Sequence, residues 1–211
     1  PAHPLRLTMV DPAVVVPNFV FDLYTIAAEL IDAGCELRCV GFCRADSERE
    51  YYAPLAFYDP AISHYTAVSP ECAANLAKRL PDRANDITVL PTGVCVPKDL
   101  KRTYQTAPIR IVYGGRIAQV QKRVMDFVPL IEALLDRNVN FTFDIAGAGR
   151  QLLNLKEAMA EVPHNGRVRI HGKIPVEKMS GLWREHDVFI QTSDYEGTSN
   201  SMLESMAQGA I

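Results

Sequence analysis

Apolar positions along this chain follow two alternating periods. Short apolar runs of strand length, bounded by turn residues, recur at residues 5–10, 36–42, 65–68 and 87–90. They recur again at 109–113, 141–146, 167–171 and 188–191. Between them lie stretches with helical spacing. Phe19, Leu23, Ile26, Ala27 and Leu30 share one face of a helix that Asn18 can cap, that runs to about Asp32, and that Gly34 stops. A short helix is expected over 46–53, ended by Pro54. Ser69 and Pro70 open a helix to about Leu80, as N-cap and first-turn residue. The remaining expected helices cover 122–137, bent at Pro129, then 151–161, 177–185 and 199–208. Strands alternating with helices of this length predict an α/β fold of parallel sheets with right-handed crossovers.

Residues 97–107 are polar and basic, with Pro97 at one end and Pro108 just beyond the other. They read as a connector between two α/β units, 1–96 and 108–211.

Composition narrows the function classes. The chain has 211 residues, 48% hydrophobic and 22% charged, with a net charge of -3. That is a globular composition, and the negative balance argues against a general nucleic-acid binder. No apolar run reaches the roughly 18 residues of a membrane-spanning helix, and no signal segment opens the chain. Five cysteines, an odd number without a secretory signal, suggest reduced thiols in the cytoplasm. Cys35, Cys39 and Cys43 have the even spacing of a metal cluster. On a strand, though, they lie along about 26 Å of one face and cannot converge on one ion.

The chemistry-bearing residues gather at the carboxyl ends of the second half's strands, where open parallel sheets bind ligands. The first of these strands ends in Gly114-Gly115-Arg116, followed by Lys122; the next ends in Gly147-Ala148-Gly149. The third gives His171-Gly172-Lys173-Ile174. The fourth gives Ser193-Asp194-Tyr195-Glu196-Gly197-Thr198-Ser199-Asn200, with Glu204 beyond. Glycines admit a ligand close to the backbone, and Arg116 and Lys122 offer the positive charge a diphosphate needs. Thr198 and Ser199 stand at a helix start, which favours an anion. Glu204, about one turn into that helix, can turn a carboxylate toward ribose or sugar hydroxyls. Each feature alone is commonplace, since strand-end turns produce Gly-x-Gly and Ser199 is a good helix cap. Their placement on successive strand ends is what gives them weight.

At these residues the chain resembles the retaining glycosyltransferases of family 4, whose GT-B fold implies that the units 1–96 and 108–211 are parts of two Rossmann-like domains. The matching stretches are Val112–Arg116 with Gln121–Arg123, Ile145–Gly149, Val168–Gly172, and Ser193–Gly197 with Leu203–Gly209. Glu196 and Glu204 reproduce the spacing of that family's Glu-x7-Glu motif. A looser likeness begins near Tyr65 and includes Pro91-Thr92-Gly93-Val94. The resemblance implies a nucleotide-diphospho-sugar donor, a sugar or glycan acceptor with a hydroxyl, retention of anomeric configuration, and no metal or cofactor. It implies that Arg116 and Lys122 hold the diphosphate and stabilise it as it leaves. Glu196 would touch the transferring sugar and Glu204 the ribose. Gly115 and Gly197 would also belong to the donor site; backbone at Thr198 and Ser199 would meet phosphate or sugar, and backbone near Ile174 the base. It also allows peripheral association with the cytoplasmic face of a membrane, though no basic amphipathic helix demands it.

Cys95 and Ser205 stand where the family commonly has Asp and Ala. No Gly-rich loop or donor-site histidine is recognisable in the first half; His64 is expected in the connector before the strand at 65–68. The chain opens Pro1-Ala2-His3 and ends at Ile211, so it reads as a fragment truncated at both ends, not expected to transfer sugar alone. Other readings of the same residues are a non-catalytic nucleotide-sugar-binding module, a phosphorylase, or an epimerase.

Overall fold

The structure, a computed structural model, describes residues 12–100, 102–104 and 106–211. The expected strand at 5–10 lies outside these residues. Contacts divide the chain into two compact units, one of Pro1–Thr92 with Glu196–Thr198, the other of Gly93–Tyr195 with Ser199–Ile211.

Among its described residues the first unit has four parallel strands in one sheet, in the order β1-β2-β3-β4. Its strands are β1 (Ala13–Val15), β2 (Leu37–Cys43), β3 (Ile62–Ala67) and β4 (Ile87–Val89), with helices α1 (Phe21–Asp32), α2 (Ala53–Phe57) and α3 (Pro70–Arg79) between them. The α3 start follows the sequence reading: Ser69 is the N-cap and its Oγ accepts from the Cys72 N–H at 3.2 Å. Three expectations are corrected. His64 is not in a connector; it lies within β3, in register with Val40 of β2. Asn18 is not the cap of α1; it adopts a left-handed conformation (φ 56°), and the helix begins after Val20 without a side-chain cap. Pro54 does not end a helix. A π-helical turn spans Glu48–Tyr52, and Pro54 sits in the first turn of α2, where its missing N–H costs nothing. Cys39 and Cys43 are buried four residues apart on β2.

The second unit has strands β5 (Ile109–Gly114), β6 (Phe141–Ala146), β7 (Val168–Gly172) and β8 (Val188–Phe189), all parallel, in the order β7-β6-β5-β8. Its helices are α4 (Phe127–Asp136), α5 (Leu152–Ala160), α6 (Val176–Glu185) and α7 (Asn200–Ala207). Phe141, Phe143 and Ile145 of β6 join Phe127 and Ile131 of α4 and Leu155 and Met159 of α5 in one buried core. The expected helix over 122–137 starts later. Arg123 is left-handed (φ 48°), so Lys122 stays in a turn, and Pro129 falls in the first turn of α4 instead of bending its middle.

The connector is docked, not free. Arg102 donates to the carbonyls of Arg184 (3.0 Å) and Gln208 (2.9 Å), and Tyr104 Oη donates to the Gly209 carbonyl at 2.8 Å. Among the described residues no helix is long and apolar enough to cross a membrane.

Candidate donor site

The strand order of the second unit reverses at β5: the chain steps from β5 to β6 to β7, then returns to place β8 on the other side of β5. Loops leaving β5 and β8 therefore part in opposite directions and open a crevice at their carboxyl ends. A cavity of about 220 Å³ lies there, lined by Gly115, Gly147, Lys173, Ile174, Trp183 and Glu204 among others. Three sequence candidates, Gly115, Ile174 and Glu204, thus meet in one place.

The glycines shape this wall. The Gly115 N–H donates to the Ala146 carbonyl (3.0 Å) and the Gly147 N–H to the Gly172 carbonyl (2.7 Å). Gly147 has φ 150°, a region open essentially to glycine, and a methyl group there would collide with the Gly115 carbonyl oxygen. Glu204 projects from α7, and Trp183 Nε1 of α6 donates to its Oε2 at 3.3 Å. A second cavity of about 370 Å³ shares Val176, Met179, Trp183 and Glu204 and reaches Gly93 and Cys95.

The two candidate cations lie on the loop after β5. Arg116 is exposed and its Nη2 donates to Gln121 Oε1 at 2.6 Å. Gln121 is almost buried and passes the tie onward, its Nε2 donating to the Tyr195 carbonyl at 3.2 Å. Thr192 Oγ1 donates to the Lys122 carbonyl at 2.8 Å, and the Asp194 N–H donates to the Gln121 carbonyl at 2.9 Å. The loop that carries Arg116 and Lys122 is therefore fastened to the segment after β8.

Ser199 caps α7, its Oγ accepting from the Met202 N–H at 3.4 Å, so the start of that helix is built as the sequence reading expects. Glu196, Gly197 and Thr198 cluster instead with the first unit. The Glu196 carbonyl accepts from the Asp46 N–H (3.2 Å), Gly197 bridges Ala45, and Thr198 Oγ1 donates to the Val68 carbonyl (3.2 Å).

Two carboxylates brace the second sheet, Asp187 just before β8, on the edge away from the cavity, and Asp144 within β6. Asp187 accepts a two-pronged contact from Arg110 (2.8 and 2.6 Å), which holds its carboxyl below the usual range. Asp144 is two residues before Ala146, which lines the cavity. Burial would push its carboxyl up, but hydrogen bonds from His186, Arg169 and His171 outweigh that and hold it well below the ordinary range. Sequence reading missed Trp183 and Asp144, and gave Gln121 no role although it lies in a stretch that carries the resemblance. Trp183 had one available signal, being the only tryptophan of the chain; Asp144 had none.

Residues 108–211 match the family described as glycosyl transferases group 1. No curated protein matches the chain. Several solved structures share its fold. One is S. aureus TarM in complex with fondaparinux, alpha-GlcNAc-glycerol and UDP (14% identity, TM-score 0.70, 83% of this chain and 36% of that one). Another is the pneumococcal O-GlcNAc transferase GtfA with UDP and GlcNAc (16%, 0.69, 97% and 42%). A third is the lipopolysaccharide outer core galactosyltransferase WaaB in apo form (18%, 0.69, 95% and 56%). This chain spans between 36% and 56% of the length of those three. These likenesses give the chain a GT-B type α/β fold, and its residues 108–211 match the glycosyl transferases group 1 family.

Proposed function

We propose that the protein is a glycosyltransferase that moves a sugar from a nucleotide-diphospho-sugar to an acceptor hydroxyl, with retention and without a metal. The observation that carries this reading is the cavity at the β5/β8 reversal, with Glu204 in its lining and the Arg116–Lys122 loop following Gly115. In the reaction, the bond between the anomeric carbon and the diphosphate oxygen breaks. A new bond forms to the acceptor oxygen, whose proton passes to the departing diphosphate. Negative charge grows on that diphosphate. Arg116, Lys122 and the N–H groups at the start of α7 are the groups available to offset it, the task a cation would otherwise perform. Glu204, steadied by Trp183, suits the ribose hydroxyls. Retention rests on the Glu196-to-Glu204 spacing, which resembles the motif of retaining enzymes. A cytoplasmic setting, including the cytoplasmic face of a membrane, goes with the same reading.

Because the TarM and GtfA structures contain UDP, UDP-sugars are the first donors to test. Arg116→Ala and Lys122→Ala should each cost about 1.5–3 kcal/mol of donor binding by calorimetry, the worth of a hydrogen bond to a charged group. Wild-type affinity in both variants refutes the diphosphate assignment. Product analysis by NMR, carried out with the full-length protein, then separates the rivals. Transfer with retained configuration supports the proposal. Phosphate-dependent release of a sugar phosphate indicates a phosphorylase, and an epimer formed without acceptor indicates an epimerase. Tight binding without turnover on any acceptor indicates a binding module.

A further inference from the structure

Asp144 sits in the middle of the second sheet and is 1% exposed. Strand alternation sends its side chain to the face opposite Phe143 and Ile145, which belong to the apolar core. Its two oxygens accept four contacts. Arg169 Nε (2.7 Å) and His171 Nε2 (2.6 Å) reach Oδ1, while Arg169 Nη2 (2.6 Å) and His186 Nε2 (2.6 Å) reach Oδ2. His186 is held from both sides, because its Nδ1 lies 2.7 Å from the Leu182 carbonyl of α6.

These partners come from the two elements that build the cavity. His171 is on β7 and is followed by Gly172, Lys173 and Ile174, of which the last two line the cavity. His186 closes α6, which contributes Val176, Met179 and Trp183 to the same lining. One carboxylate thus ties together the strand behind one wall and the helix that forms the other. Burying a carboxylate on a sheet is costly, and an apolar side chain would fill the space at less cost, as Phe143 and Ile145 do opposite. The ionic group does what an apolar one cannot: it fixes direction and register between two elements.

We propose that Asp144 is a positioning residue for the donor cavity, setting the spacing between its 173–174 wall and its α6 wall. The proposal rests on the donor-site reading above. Trp183, the only tryptophan, stands in the α6 wall and reports on it by fluorescence. The experiment compares the full chain with Asp144→Asn and with the milder His171→Gln, whose side chain lies at the rim (34% exposed). UDP binding is titrated, and acrylamide quenching of Trp183 is measured, at a temperature where circular dichroism shows every variant folded. The expected result is UDP affinity about tenfold weaker in Asp144→Asn, with a smaller loss in His171→Gln, and Trp183 more open to quencher in both. Wild-type affinity and wild-type quenching in both folded variants would overturn the proposal, leaving Asp144 a role in stability alone. If the wild type binds neither UDP nor GDP, the donor reading fails, yet the quenching comparison still decides whether Asp144 sets the wall.

Discussion

Among the described residues the two sheets have the same number of strands and the same parallel sense, yet they are used differently. Along β2 burial alternates: Leu37, Cys39, Gly41 and Cys43 are buried, Arg38 is exposed, and Val40 and Phe42 are half-buried. Along β6 five of the six residues are buried, on both faces. Strand order explains the contrast. In β1-β2-β3-β4 every crossover moves the same way, so right-handed connections put the described helices on one face. In β7-β6-β5-β8 the direction reverses, so helices cover both faces and a crevice opens at the reversal. Chemistry collects where the reversal is. A sheet covered on both sides can also hold a carboxylate out of water, as Asp144 shows; on the Arg38 face of β2 no residue is fully buried among the described residues.

That difference is most sharply tested by pH. The Asp144 carboxyl is held well below its ordinary range in the folded protein. Its contribution is therefore fully present above the unfolded value of about 3.9 and is lost as pH falls through the depressed folded value. The Arg169 arm adds little, because that side chain is 61% exposed and water screens it. The His186 arm is buried (4% exposed) and carries most of the effect. Asp144→Asn should lose about 3–5 kcal/mol at neutral pH, the usual cost of removing one partner from a buried pair. Urea unfolding of both proteins across pH checks this. The gap must narrow toward acid; a gap of constant size would mean that packing, not ionisation, makes the difference.

The same contrast explains what could be read in the sequence. The β6 strand matches its expected bounds because six apolar-rich residues between turn signals are a local pattern. The α3 start was legible because Ser69-Pro70 is a local signal as well. Pro54 and Pro129 were misread for one reason: proline is tolerated in the first turn of a helix and forbidden later, and the true starts lay one or more residues downstream of the expected ones. At the site, Gly115, Ile174 and Glu204 were legible from their places on strand ends and helix start. The Asp144 cluster was not, because it joins residues up to 42 positions apart on three different elements. Nor was the clustering of Glu196–Thr198 with the first unit, since Thr198 bonds to Val68, 130 residues away. Local period and local turn chemistry are written in short windows. Side-chain networks that cross a sheet are written only in the folded register.

A matched pair of arginines carries the comparison down to its smallest effect. Arg38 and Arg110 both occupy the second position of a strand, β2 and β5. Arg38 lies on the exposed side of β2. Arg110 reaches Asp187, whose side chain is 7% exposed, with two charged hydrogen bonds. Arg110→Gln leaves a buried carboxylate short of its counter-charge and should cost about 1.5–3 kcal/mol in urea unfolding. Arg38→Gln removes the same charge from a position open to water and should change stability by less than about 0.5 kcal/mol. If the two losses are equal, the face of β2 that bears Arg38 is covered in solution and the one-sided reading of the first sheet fails. If Arg110→Gln is neutral, Asp187 finds its balance elsewhere; Arg102, 3.5 Å from its Oδ1, is the group in reach. Arg102→Gln in that background would then unmask the missing loss.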